Sequence, residues 1–469
     1  MPEKKRKAVF QALVVDLEGQ LNSFDPRMRA TALSKLIALR IPWEPEGGNV
    51  NLHTHTFFSY HYAAWSPTRF AWEARKAGLY AAGIIDFDGL DGAREFLEAG
   101  EALGLRATAG IEARAFLPRF ADAEIDSPGE PGVHYLAGSG MVRIPDAGSP
   151  EADYLQRLRI ISLRRMRDMA NRINAALPAI AVDFAQEAFL RSPSGYATER
   201  HLAAAYVEAS RIAFPAPLER AEFWSAPLAL DREAAFALMR DSAAWEDKVR
   251  SRLMKRGGVG YAQPGPDTFP PVGDVYAWVK ACGGVPMDSW LDGTSPGEAR
   301  MQALLDHNHE LGARALNLIP DRNWNLADAQ DKRRKLANLA RIISLATAKG
   351  MPLHIGTEGN RPGLPFADDL ARPELAPFRP AFQEGARILI GHALLARFAH
   401  FPYAGYAAEG EFGGDIQGMN ECFASLGALP PLDYAVGDRL RDAGPAAAFS
   451  ILRDSARQGR WTGALQPAR

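Results

Sequence analysis

The chain has 469 residues, 47% hydrophobic and 23% charged, with a formal net charge of −2. That is ordinary globular composition, and a charge this close to zero argues against nucleic acid or an anionic membrane as the main partner. Cys282 and Cys422 lie far apart, so no disulfide framework is implied and a cytoplasmic location is expected. The basic start Lys4-Lys5-Arg6-Lys7 leads into Ala8–Leu13, which Asp16 and Glu18 break too soon for a signal peptide. No stretch of 18 apolar residues suggests a transmembrane helix.

Residues 1–46 read as a helical lead-in that stops at Pro42, Pro45 and Gly47-Gly48. From there short apolar runs at 82–86, 107–112, 133–137, 283–287, 314–319, 351–356 and 387–391 alternate with helical stretches. Ser66-Pro67 supplies an N-cap and a first-turn proline, and Gly78 a stop. Helices near 90–103 and 327–349 end at Gly104 and Gly350. Repeated βα units imply a parallel sheet, and their number favours an α/β fold of the distorted (β/α)7-like barrel type. Between 143 and 270 the rhythm breaks into helices, as in Leu155, Leu158, Ile161, Met166, Met169 and Ile173. The expected organisation is a lead-in (1–46), a first barrel part (47–142), a helical insertion (143–270), a second barrel part (271–417) and a helical C-terminal extension (418–469). The arginines 157, 159, 164, 165 and 167 of the insertion read as a solvated helix face, the alternative being contact with an acidic ligand or partner.

In such a barrel the functional groups sit where strands end. His53 and His55, in Asn51-Leu52-His53-Thr54-His55, are two residues apart, so in a strand both imidazoles point to one side. Glu112 closes Ala109-Gly110-Ile111, His134 opens the run 133–137, and Glu358 follows His354-Ile355-Gly356-Thr357. Such a set could hold Zn, Mn or Fe, one or two ions, and acidify a bound water. Asp86 and Asp88, at the end of Ala82–Ile85, are candidate catalytic groups or caps of the next helix. His392, after Ile388-Leu389-Ile390-Gly391, is a strand-end candidate with either a catalytic or a structural use, whereas His354 reads as packed in its apolar run. Arg322 follows the run 315–319 and could grip a phosphate or carboxylate, with Trp324 and Asn325 lining the pocket. The alternative is a loop held by its own Asp321–Arg322 turn. No P-loop, no GxGxxG after a strand, no CxxC pair and no GxSxG elbow occurs.

The block 51–112, with HxH, the serine and Ser-Pro helix start, the acidic Asp86-Phe87-Asp88 and Gly110-Ile111-Glu112, resembles the start of a PHP domain (the polymerase and histidinol phosphatase family). Later segments resemble the family in order: His134, Arg200-His201-Leu202-Ala203, Gly283-Gly284-Val285-Pro286 and Gly356-Thr357-Glu358-Gly359-Asn360, so the likeness spans roughly 49–400. Phe87 stands where the family has a metal-binding histidine, Met287-Asp288 where it has a further histidine, Glu358 for an aspartate and Asn360 for the last histidine. The resemblance implies a metal centre, with three ions in the fullest members. Here His53, His55, Glu112 and Glu358 could complete one site, and His134 with a shared Glu112 and Asp288 a weaker second. Arg322 and Asn360 would contact substrate.

The expected function is a metal-dependent hydrolase, specifically a phosphoesterase acting on a small anionic phosphoester with a metal-activated water. Two alternatives stay open. One is an amidohydrolase-like barrel that recruits His354 and His392 and acts on C–N or C–O bonds. The other is a non-catalytic PHP-like binding module.

Overall fold

The computed structural model describes residues 3–265 and 268–462. Residues 1–2, 266–267 and 463–469 of the expected lead-in, insertion and C-terminal extension lie outside them. Seven strands, β1 (Val50–Thr54), β2 (Ala81–Phe87), β3 (Arg106–Phe116), β4 (Val133–Ser139), β5 (Val285–Trp290), β6 (Ala315–Leu318) and β7 (Leu353–Ile355), pair in sequence order. The sheet curls until Thr54 bridges Glu358, just after β7. His55 N–H donates to the Glu358 carbonyl (2.9 Å) and Glu358 N–H to that of His53 (2.8 Å), which nearly closes the barrel. A Cβ on Gly356 would lie 2.4 Å from the His53 nitrogen, so only glycine lets the two ends approach there. Glu358 itself holds φ +62°, a left-handed backbone costly for a non-glycine residue.

Helices cover the outside as the capping signals predict. The Ser66 hydroxyl accepts from Arg69 N–H at 2.9 Å and starts helix Pro67–Lys76, and Gly104 closes Ala93–Leu103 at φ 59°. Two expectations are corrected. β4 runs antiparallel to both β3 and β5, so the sheet is mixed rather than parallel. The run 387–391 belongs to helix Arg379–Leu394, not to a strand. That helix is pressed against helix Ile416–Gly427, where a Cβ on Gly391 would lie 1.9 Å from the Phe423 carbonyl. Burial on nearly every side gives it a continuous apolar run that mimics a buried strand.

The region between β4 and β5 is helical, from Pro150–Ala176 to Ser242–Leu253, and has a hydrophobic core of its own around Met166, Ile173, Tyr206, Trp224 and Trp245. It docks over the strand ends. The Tyr196 hydroxyl donates to Asp88 (2.6 Å), the Ser192 hydroxyl to the Phe58 carbonyl (3.2 Å), and Arg159 to Asp91 (3.2 Å). Among the described residues no helix is long and apolar enough to cross a membrane.

Candidate metal centre

Strand register decides which side chains meet. Glu112 pairs with Ala137 and Ala137 with Met287; two residues on, Ser289 pairs with Asn317 and Asn317 with His354. Paired residues share a face and alternate residues return to it, so Glu112, Ser289, Asn317 and His354 face the barrel interior together. His53 joins them, its Nδ1 lying 3.0 Å from Asn317 Oδ1. His354 Nδ1 lies 2.9 Å from the same oxygen. One carboxamide oxygen therefore takes the Nδ1–H of two imidazoles, which turns the Nε2 lone pair of His53 outward from that bond.

His53 and His55 are fully buried and Glu112 nearly so. His53 Nε2 lies 3.8 Å from Glu112 Oε1, and His55 Nε2 lies 3.3 Å from Glu112 Oε2. His53 Nε2, His55 Nε2 and Glu112 Oε2 have no hydrogen-bond partner among the described residues. Burial holds both imidazoles below their usual pKa, hence neutral, and pushes the Glu112 carboxyl up to about 8. Three buried polar atoms left unpaired would be costly unless something satisfies them. Among the described residues these are the one set of three metal-ligating side chains whose donor atoms lie within 4.8 Å of one another. Two neutral imidazoles and a carboxylate are a donor set suited to zinc or a similar divalent ion, so the residues fit the group. Phe87 stacks on His55 (4.4 Å between centroids, 17° between planes) and fills its flank with hydrocarbon.

The other proposed ligands lie outside this three-donor set. His134 pairs in register with Ala115, the opposite face from Glu112, and points outward with Asp288. Its Nδ1 meets Asp126 (3.0 Å) and its Nε2 meets Asp288 (2.8 Å), so both nitrogens are spent and no second metal site forms with Glu112. Burial opposes its charge, but the two carboxylates outweigh burial and raise the pKa to about 10. Glu358 lines the cavity but is outside the three-donor set. Its Oε2 takes Arg322 Nη2 at 2.8 Å, and against the cost of burial that guanidinium holds the carboxyl at about 2.

Asp86 caps no helix and is not among the residues lining the cavity. It accepts from Thr56 N–H (2.7 Å), Thr56 Oγ1 (2.7 Å) and Ser59 Oγ (2.6 Å), locking the turn after β1. Asp88 lines the cavity with its carboxylate bound by Tyr196, and burial raises its pKa. His392 lies in a helix. Its Nε2 meets the Gly140 carbonyl (3.1 Å) and its Nδ1 accepts from Tyr403 N–H (3.0 Å), leaving no nitrogen for catalysis. Of the substrate residues, Arg322 and Asn360 line the cavity. Trp324 is buried with its indole N–H on Asp368, and Asn325 is exposed at the end of the short helix Asp321–Trp324; neither lines it.

Asn317 was not among the expected site residues, and His354 was placed at the site only in the amidohydrolase-like alternative. A signal existed in a lone amide inside Ala315-Leu316-Asn317-Leu318, since a buried polar residue in a strand needs a partner. Asn317→Leu removes the acceptor that orients His53. It is expected to weaken divalent-metal affinity about 10–100-fold with the fold retained, as read by competitive titration against a chromogenic chelator. Unchanged affinity would show that Asn317 only packs.

No family model matches the chain. Over 85 residues, 18% of the chain, it is 38% identical to error-prone DNA polymerases of Mycobacterium bovis and Mycobacterium tuberculosis, and it spans 7% of their length. An amidohydrolase from Chromobacterium violaceum, solved with sulfate and no metal, is 17% identical with a TM-score of 0.46, over 72% of this chain and 96% of that one. A candidate metal-dependent phosphoesterase from Bifidobacterium adolescentis is 21% identical with a TM-score of 0.43, over 70% and 94%.

Proposed function

We propose that the chain is a metal-dependent hydrolase whose substrate is a phosphoester. The observation that carries this is the set of three buried, unpartnered donor atoms of His53, His55 and Glu112, beside a cavity of about 450 Å³ lined by Glu112, Asn317, Arg322 and Asn360. A divalent ion, when bound, supplies Lewis acidity and a water of lowered pKa. The protein's own contributions follow from its residues. Glu112 and the two imidazoles hold the ion, and Asn317 fixes the tautomer of His53. Arg322, anchored through Nη2 by Glu358, presents its guanidinium to an anionic group at the cavity wall. Phe87 and insertion residues such as Tyr196 and Arg200 form part of the cavity wall.

The ligand set needed for an amidohydrolase-like site is incomplete. His354 does face His53, with ring centroids 6.0 Å apart, but His392 is committed in its helix. The test is hydrolysis of p-nitrophenyl phosphate by chelator-treated protein with Zn²⁺ or Mn²⁺ added back. Metal-dependent phosphate release is expected. Metal binding without turnover of this or other phosphoesters would favour the binding-module reading. In the same assay Arg322→Lys keeps the charge but loses the fork, so kcat/KM is expected to fall by an amount equivalent to ~2–4 kcal/mol at nearly unchanged thermal stability. Joint loss of stability and metal would instead make Arg322 structural.

A further inference from the structure

The cavity is not built by the barrel alone. Its wall includes Arg165, Met166, Tyr196 and Arg200 of the insertion, facing Glu112 and Arg322 of the barrel. The arginines on this wall differ in how they are compensated. Arg114 pairs with Glu130 (3.0 Å) and Glu199 (3.5 Å), Arg200 with Asp247 (3.0 Å), Arg250 with Glu199 (3.1 Å) and Arg322 with Glu358 (2.8 Å). Arg361 sits on the exposed rim. Among the described residues Arg165 has no carboxylate within ion-pair distance, and its Nε and Nη1 are buried without an acceptor. Its guanidinium lies over the Phe269 ring (4.5 Å), which Arg114 also faces (5.2 Å), so two like charges share one aromatic ring. Burial and the neighbouring Arg114 disfavour the Arg165 charge, and Glu199 and Glu130 offset them only in part. A half-buried fork with unused donors, and with Glu199, Glu130 and Asp88 near but none within ion-pair distance, is poised for an anion at closer range.

We infer that Arg165 forms a second anion subsite, and that the substrate is a small phosphoester carrying a further carboxylate or phosphate on its leaving side. This rests on the hydrolase reading for the position of the reacting ester. The cavity, about 450 Å³, falls in the range for small organic ligands rather than for a bare phosphate group. The insertion thereby selects substrate, while the barrel holds the reacting centre.

The experiment is calorimetric binding of three non-hydrolysable probes to the purified protein: phenylphosphonate, 4-carboxyphenylphosphonate and 1,4-phenylenediphosphonate. The added anionic group is expected to tighten Kd at least tenfold in the wild type, and the larger gain identifies carboxylate or phosphate as the second group. In Arg165→Gln that gain disappears. Arg165→Lys keeps the stem on Phe269 and the charge but not the fork, and should lose at least threefold of the gain; it serves if the glutamine variant does not fold. Equal affinity for the three probes in the wild type, or a full gain in both variants, overturns the subsite. The gain without metal-dependent turnover of any phosphoester would leave the subsite standing and remove the hydrolase reading. Turnover without the gain would do the reverse.

Discussion

Glu112→Gln is expected to abolish both metal retention and hydrolysis. The substitution keeps the shape of the side chain but removes the one anion of the three-donor set, leaving two neutral imidazoles to hold a divalent ion. Removing an outer partner of a metal ligand already costs about 10–100-fold in affinity, so losing a direct ligand should exceed roughly a hundredfold. Without the ion, the several kcal/mol of Lewis-acid stabilisation are lost, and turnover should fall roughly a thousandfold or more. The fold should survive and even gain stability in metal-free buffer. Burial pushes the Glu112 carboxyl up to about 8, which marks its charge as a cost there, and glutamine removes that charge. Elemental analysis and denaturant melts of the same preparation read both effects. A variant that keeps its metal would show that the ion is held elsewhere.

His134→Ala is expected to be the most destabilising single change among the sequence-derived candidates, with no direct effect on the metal. Asp126 and Asp288 both face this imidazole, and Asn308 donates to Asp288 (3.1 Å). Taking away the ring leaves two buried carboxylates without their cation, a loss of ~3–5 kcal/mol. The pH dependence has a definite sign. The folded-state pKa of about 10 lies above the ordinary histidine value, so the stabilisation is complete below about pH 6.5 and fades as pH rises towards 10. The gap in unfolding free energy between wild type and His134→Gln should therefore shrink over that interval. A constant gap would mean that His134 is neutral in the fold.

His53, His55 and Glu112 were legible as a set because His53-Thr54-His55 places two imidazoles close together at the end of β1 and Gly110-Ile111-Glu112 lies on another strand of the same sheet, although Glu112 sits within β3 rather than at its end and His55 one residue past β1. His134 was not. Whether a strand residue faces in or out depends on register with its neighbours, and β4 reverses direction, which an apolar run does not encode. A hint lay in 117–132, which carries no crossover helix of the kind parallel strands require. His392 was misplaced for a related reason, since helix Arg379–Leu394 is apolar on nearly every side over 388–391 and only its length and Pro380 distinguish it from a strand. Arg165 read as one of a solvated row because its helix carries arginines on several faces. Only the docking of the insertion onto the barrel mouth singles it out.

Locating the ion tests the metal assignment most directly. A crystal grown with Zn²⁺ or Mn²⁺ should give an anomalous difference peak about 2.0–2.2 Å from His53 Nε2, His55 Nε2 and a Glu112 oxygen when zinc is bound. A peak on other residues, or none at this triad with millimolar metal present, would show that His53, His55 and Glu112 do not hold the ion.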